Sequence, residues 1–200
     1  GGATGTGKTT LAIVTNLYQI YCLTCFPQPQ LLFPGLSRVT PIVFLFQSVS
    51  TTVTRRVIYQ PLRRAFVAMP YTERYVNYDK QLEAAIRIEG GIEAYPAVAM
   101  VTAMVGQAVI GGIVDEINFM AVVERSRQVP GPDGTGGRFD QAEEVYSNLS
   151  RRRKSRFAAG QLSFGVLVIS SSVRYRDDFM DRRLRQVETE KPVGIVAIRR

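Results

Sequence analysis

The chain opens on a glycine-rich segment that contains the complete pattern G-x-x-x-x-G-K-T between Gly2 and Thr9. Glycines lack a β-carbon, so successive backbone N–H groups can turn inward and form a concave nest for an anion. Lys8 supplies a point charge for the β- and γ-phosphates, and the Thr9 hydroxyl is suited to ligate Mg²⁺. The pattern therefore predicts a nucleotide-binding site made of Gly2, Thr4, Gly5, Thr6, Gly7, Lys8, Thr9 and Thr10.

A phosphate loop of this kind is normally preceded by a buried strand, which holds the loop at the edge of a sheet. Here the motif starts too close to residue 1 to leave room for such a strand. We therefore expect that the 200 residues are one domain of a longer protein and that the first strand of this domain is truncated.

Composition and charge narrow the classes of function that the chain can have. No run reaches the ~20 consecutive apolar residues that a membrane helix needs, so we expect no membrane partner. The net charge of +8 suits a protein that works near polyanions. Histidine is absent, which excludes Ser-His-Asp and Cys-His catalysis. The only cysteines, Cys22 and Cys25, are too few for a structural zinc site, and we expect both to be reduced.

Apolar runs and turn residues predict an alternation of strands and helices. This order favours a three-layer α/β sandwich around a mostly parallel sheet, the architecture of a P-loop NTPase. The predicted elements are helix Leu11–Tyr21, strand Pro41–Phe46, helix Val53–Met69 with a break or kink at Pro61, strands Gln81–Glu89 and Glu93–Val101, strand Val109–Val114, loop Val129–Gly137, helix Asp140–Phe157, strand Leu162–Ile169 and helix Asp177–Gln186.

An acidic pair follows one of the predicted buried strands, at Asp115 and Glu116. Such a string is often a surface turn. After a phosphate loop, however, it is typical of a Walker B segment, because ligands of open α/β sheets bind at the carboxyl edge of the strands. There Asp115 would hold Mg²⁺ through water, and Glu116 would orient or deprotonate the attacking water. We predict Glu116 and Lys8 as catalytic residues, and Thr9 and Asp115 as metal-site residues.

A cluster of hydroxyls, Ser170, Ser171 and Ser172, follows the last predicted strand. Such a cluster is usually a plain turn. In a P-loop domain, a polar residue on the strand beside the loop can instead contact the γ-phosphate and report its presence. We predict this sensor or coupling role for the cluster and leave the particular serine open.

The order of motifs resembles the ATPase domain of the large terminase subunit, the DNA-packaging motor of tailed bacteriophages. The phosphate loop and the acidic pair are shared with other P-loop ATPases. More specific are the arginine-rich R-x-x-S-R-F ending at Phe157, the serine cluster, and the D-D-F that ends at Phe179.

The resemblance implies an ATPase of the RecA-like group with a catalytic glutamate (ASCE) that uses ATP and Mg²⁺. It implies translocation of double-stranded DNA into a procapsid by a ring of subunits seated on the portal, in the host cytoplasm, with the small terminase subunit as a partner. It assigns the serine cluster to coupling ATP turnover to DNA movement. A nuclease domain usually follows this ATPase domain and is not included in residues 1–200.

Basic residues in two regions are candidates for a trans-acting arginine finger or for DNA contacts. The alternative for any one of them is a solvated basic helix face. The candidates are Arg87, Arg125, Arg127 and the cluster Arg151–Arg156, in particular Arg151, Arg152 and Arg156.

Two other functions remain open at this stage. A P-loop kinase would transfer the phosphoryl group to a small acceptor under an arginine-bearing lid, but the loop Gly131–Gly137 has no arginine before Arg138. A nucleotide-binding switch would bind without useful turnover, against which the acid at Glu116 argues.

Overall fold

A computed structural model describes residues 7–97, 106–126, 137–159, 162–172 and 174–192. Its helices are α1 (Lys8–Thr24), α2 (Thr51–Val53), α3 (Gln60–Ala68), α4 (Pro70–Tyr75), α5 (Gln141–Phe157) and α6 (Phe179–Glu190). Its strands are β1 (Ile42–Gln47), β2 (Ile86–Ile88), β3 (Ile92–Pro96), β4 (Ala108–Asp115), β5 (Val122–Ser126), β6 (Gly137–Asp140), β7 (Ala158–Ala159), β8 (Leu162–Ser163) and β9 (Leu167–Ser170).

Five strands form the central sheet, in the order β2-β3-β1-β4-β9. β1 is parallel to β3 and to β4, and β4 is parallel to β9. Within this sheet β2 is antiparallel, because a tight turn joins it directly to β3. The carboxyl ends of four strands therefore lie at the same edge of the sheet. The predicted α/β class and mostly parallel sheet are confirmed.

The two faces of the sheet bury two separate apolar clusters. Phe44 and Phe46 of β1 pack on the face that also carries α1 and α3. Val43 and Leu45, the alternate residues, pack on the opposite face with the apolar side of α5. Side chains alternate along a strand, so a six-residue strand buried at every position must be covered on both sides. The result is the predicted three-layer sandwich.

Gly112 in β4 allows the centre of the sheet to close. Its φ is 150°, and a β-carbon built there would overlap the carbonyl oxygen of Leu45 in β1. The neighbouring register between β1 and β4 is irregular between Val43 and Phe44. A side chain at position 112 would therefore push the two central strands apart.

Two predicted strands around the turn at Gly90 are shorter than expected. The strand predicted over Gln81–Glu89 is only β2, because the Asp79 carboxylate accepts the backbone N–H groups of Gln81 and Leu82 and holds them in a turn. The strand predicted over Glu93–Val101 is β3, which begins at Ile92 and ends at Pro96. Residues 98–101 lie outside the described ranges.

The single strand predicted over Leu162–Ile169 is wrong. The short strand β8 pairs with β7, whereas β9 joins the central sheet. Gly165 lies between them with φ 84°, a left-handed conformation that no strand can continue through. Local apolar content cannot separate two short strands when the residue that divides them is a glycine.

The helix predicted over Val53–Met69 is confirmed but starts earlier, at Thr51, where the Ser50 hydroxyl accepts the N–H of Val53. Its irregularity is a π-helical stretch, Thr54–Tyr59, that lies just before the predicted break at Pro61. Proline has no N–H to donate, which fits a disturbed ladder in the preceding turn.

Capping side chains start the two C-terminal helices. Asp140 caps α5 as predicted, by accepting the N–H groups of Ala142 and Glu143. The last helix begins at Phe179, two residues later than expected, because Asp178 is its cap. The predicted loop Val129–Gly137 lies outside the described residues except for Gly137, which begins β6. Across the described ranges, no helix has both the length and the apolar character needed to cross a bilayer.

Candidate nucleotide-binding site

Side chains of α1 fix this helix over the centre of the sheet. The buried Asn16 donates to the carbonyl oxygen of Gly112 in β4 at 3.4 Å. Gln19 accepts the N–H of Val166, just before β9, at 3.0 Å. These contacts direct the N-terminus of α1 toward the carboxyl ends of β4 and β9. The positive end of the helix dipole therefore lies where an anion would bind.

The predicted metal-site residues are in contact, although 106 positions separate them in the chain. The Thr9 hydroxyl lies 3.5 Å from Oδ2 of Asp115. Asp115 ends β4 and is 6% exposed, and its other oxygen accepts a short hydrogen bond from the Ser170 hydroxyl. Thr9 and Asp115 thus form one group of oxygens at the end of α1.

The Glu116 carboxylate is directed at the serine cluster. Its backbone is left-handed, with φ 52° and ψ 41°, which turns the chain sharply at the end of β4. Its oxygens accept hydrogen bonds from the Ser171 hydroxyl at 3.3 Å, and from the N–H and hydroxyl of Ser172 at 3.1 and 3.3 Å. A non-glycine residue in this conformation costs about 1–2 kcal/mol, which these bonds offset.

Lys8 completes the cluster, since its ammonium lies 3.5 Å from the hydroxyl of Ser172. Gly7 caps α1 in the left-handed conformation, and Thr10 lies exposed in the first turn. The structure thus brings together Lys8, Thr9, Asp115, Glu116, Ser170, Ser171 and Ser172. Gly2, Thr4, Gly5 and Thr6 lie outside the described residues.

The donor atoms fit a hard divalent cation such as Mg²⁺. A hydroxyl and a carboxylate are oxygen ligands of the type that Mg²⁺ prefers, and Mg²⁺ commonly completes its shell with water and nucleotide phosphate. In the described ranges, no group of three or more His, Cys, Asp or Glu side chains could hold a metal without such help. Thr9 and Asp115 are the residues that would hold the ion.

One network in the site was missed by the sequence analysis. The buried Asn118 donates from its backbone to the Ser171 hydroxyl at 3.1 Å, and from its side chain to the carbonyl of Ser172 at 2.9 Å. It also donates to Asp178, the cap of α6, at 2.8 Å. Asn118 therefore ties the serine turn to the start of α6. Its position just after the acidic pair was the only signal in the sequence.

The candidate arginines lie in different surroundings. Arg87 pairs with Glu93 at 3.0 Å and lies near the amino end of β3, at the end of the sheet opposite Asp115. Arg151 is exposed on α5, and Arg152 and Arg156 are partly exposed there. The side chain of Arg125 and the whole of Arg127 lie outside the described residues. Their roles as fingers or DNA contacts stay predictions.

Arg153 differs from the rest of the basic cluster. Its Nη1 donates to the carbonyl oxygen of Gly165 at 3.2 Å. Burial lowers the pKa of its guanidinium. This arginine therefore joins α5 to the segment before β9, whereas the exposed Arg151 is open to a partner.

Both cysteines are free thiols at the C-terminal end of α1. Cys25 is exposed, and its Sγ lies 3.4 Å from the carbonyl oxygen of Tyr21. This agrees with the expected reduced pair.

The fold is similar to that of solved large terminases. The HK97 bacteriophage large terminase superposes with a TM-score of 0.56 at 15% identity, over 98% of this chain and 33% of that chain. The large terminase of a thermophilic bacteriophage in complex with ADP gives a TM-score of 0.55 at 13% identity, over 96% and 37%. This chain thus spans about a third of their length. At the level of fold, the resemblance drawn from the sequence is confirmed.

No curated protein matches the chain. A family model, described as the N-terminal P-loop domain of the uncharacterized protein MJ0330, matches residues 2–197. That match includes the phosphate loop, the acidic pair and the serine cluster. With this coverage and the geometry of its site, the chain belongs to that family of P-loop domains.

Proposed function

We propose that this domain hydrolyses ATP, and that hydrolysis drives double-stranded viral DNA into a procapsid. The contact between Thr9 and Asp115 is the main support, because it joins the end of the phosphate loop to the carboxyl end of β4. A solved neighbour in complex with ADP, and the same terminase in complex with ATP-gamma-S, support an adenine nucleotide.

The residues of the site divide the work of hydrolysis between them. Lys8 neutralises charge on the β- and γ-phosphates, and Glu116 accepts a proton from the attacking water. When bound through Thr9 and Asp115, Mg²⁺ supplies positive charge to the same phosphates. The bonds from Ser171 and Ser172 hold the Glu116 carboxylate, so its water must displace one of them.

The serine turn is suited to transmit the state of the nucleotide. Ser172 contacts both Lys8 and Glu116, the two predicted catalytic residues. Asn118 connects the same turn to Asp178 and thereby to α6. A change at the γ-phosphate would therefore reach a helix that carries several arginines. DNA contact through phosphates would be independent of sequence, as a translocating motor requires.

The remaining parts of the proposal concern assembly. We place the domain in a homo-oligomeric ring on the portal, with the small terminase subunit as a partner, in the host cytoplasm. Support comes from the fold of the solved terminases and from the net charge of +8.

Phosphate release from ATP, measured with and without double-stranded DNA, tests this function against the two alternatives. Release that depends on Mg²⁺ and increases with DNA supports the motor. Transfer of radiolabelled phosphate to an added small acceptor would instead identify a kinase. Tight ATP binding with neither release nor transfer would identify a switch.

A further inference from the structure

Ser48 is a buried hydroxyl immediately after β1. Its side chain is fully buried, and its Oγ has no hydrogen-bond partner within the described ranges. A buried hydroxyl without a partner has lost its bonds to water and gained none in return. Such a group points to a ligand or an ordered water.

The sheet register places Ser48 beside the proposed metal site. Gln47, the last residue of β1, pairs with Val114, so Ser48 is level with Asp115. Asp115 in turn pairs with Ser170 of β9. Neighbouring strands lie about 5 Å apart. The backbone of Ser48 is therefore about one strand spacing from that of Asp115, on the side away from Ser170.

The alternation of side chains places the hydroxyl on the same face as the site. Phe46 packs in the cluster that contains the apolar residues of α1. Ser48 follows two residues later, and continued strand geometry puts it on that face too. The Asp115 carboxylate also lies there, as its contact with Thr9 of α1 shows.

We propose that Ser48 is a positioning residue whose Oγ hydrogen-bonds to a water in the coordination shell of the Mg²⁺ held by Thr9 and Asp115. This inference rests on the proposed function. Mg²⁺ requires near-ideal octahedral geometry and usually keeps several of its waters. A partner that orients such a water contributes to metal affinity, and its loss typically weakens affinity about 10- to 100-fold.

Thr72 in α4 offers a matched control. It is 1% exposed, and its Oγ1 likewise has no partner in the described part of the chain. Its neighbour Tyr71 contacts Thr24 at the C-terminal end of α1. That end lies about 24 Å from the phosphate loop, given the rise of about 1.5 Å per residue. A purely structural role for Ser48 would make the two sites behave alike.

The experiment compares Ser48→Ala with Thr72→Val in the complete protein. Mn²⁺ serves as the probe metal, and its binding to the complex with ADP is followed by electron paramagnetic resonance. We expect Ser48→Ala to weaken Mn²⁺ binding about 10-fold, with ADP affinity in EDTA unchanged, and Thr72→Val to leave both unchanged. Ser48→Cys, which preserves volume but bonds weakly, is expected to lose Mn²⁺ affinity as well.

Two results would overturn the inference, and they are distinguishable. Mn²⁺ affinity within about twofold of the unmodified protein in both Ser48 variants would exclude the role and leave the proposed function intact. An unmodified protein that binds ADP equally well with and without metal would instead remove the proposed function, and this inference with it.

Discussion

The Nδ2 atom of Asn118 donates a 2.8 Å hydrogen bond to Oδ2 of Asp178, across 60 positions of the chain. Both side chains are buried, at 5% and 1% exposure. Asp178 also accepts the N–H groups of Arg174 and Asp181. Asn118 in turn accepts the N–H of Met180. This pair therefore fixes both the serine turn and the first turn of α6.

Truncating either member of this pair should destabilise the fold. We expect Asn118→Ala and Asp178→Ala each to lower the free energy of unfolding by about 2–4 kcal/mol, since each leaves buried partners unpaired and the second also removes a helix cap. Urea denaturation of both single variants and the double variant should give a coupling energy of about 1 kcal/mol or more. Additive losses, as expected for Asn118→Ala combined with the remote Thr72→Val, would contradict a direct bond between the pair.

Replacing Glu116 by Gln should separate binding from chemistry. The amide keeps the shape but cannot accept the proton of water, so we expect kcat for ATP hydrolysis to fall about 10²- to 10⁴-fold. The dissociation constant for ATP should stay within about threefold, because the acid does not bind the phosphates in our proposal. Equilibrium binding and phosphate release on the same preparation measure both quantities.

Lys8→Ala provides the opposite control for that experiment. Removing a charged partner of the phosphates should weaken ATP binding itself by about 10- to 100-fold. If Glu116→Gln lost binding to the same degree as Lys8→Ala, the role of Glu116 as a general base would be wrong.

Gly112→Ala should destabilise the protein because its methyl group would overlap the carbonyl oxygen of Leu45. We expect a loss of about 3 kcal/mol or more in the free energy of unfolding, measured by urea denaturation. Gly106 also has a positive φ, of 82°, but nothing described lies within 4 Å of the place its β-carbon would take. Gly106→Ala should therefore cost only about 1 kcal/mol from backbone strain. Equal losses would show that the close approach of β4 to β1 is not the cause.

The basic end of α5 should contact DNA phosphates, whereas the arginines of α6 should contribute little. Arg183 and Arg185 are already paired with acids, namely Glu143, Asp177 and Asp181. For Arg151→Ala combined with Arg152→Ala, we expect the slope of log affinity against log salt to fall by about 2. Arg183→Ala combined with Arg185→Ala should leave the slope nearly unchanged. Fluorescence anisotropy with a labelled duplex at several salt concentrations measures it, and equal slopes for the two variants would refute the assignment.

Local features of the sequence were sufficient to predict most of the central elements. The glycines and Lys8 marked the phosphate loop and the start of α1 without reference to any distant residue. The fully apolar runs of β1 and β4 indicated strands buried on both faces. Where strands were mispredicted, as around Gly165, the deciding factor was a backbone conformation or a pairing partner that residue type does not specify.

The sequence by itself determined which residues could serve a nucleotide site, since hydroxyls, carboxylates and an ammonium have that chemistry in any fold. Only the tertiary structure decided that Thr9 meets Asp115, that Glu116 faces the serine turn, and that Ser48 lies level with the acid. These relations depend on strand order and register, which are set by packing between segments far apart in the chain. Local periodicity specifies a strand and its buried faces, but not the strand that lies beside it.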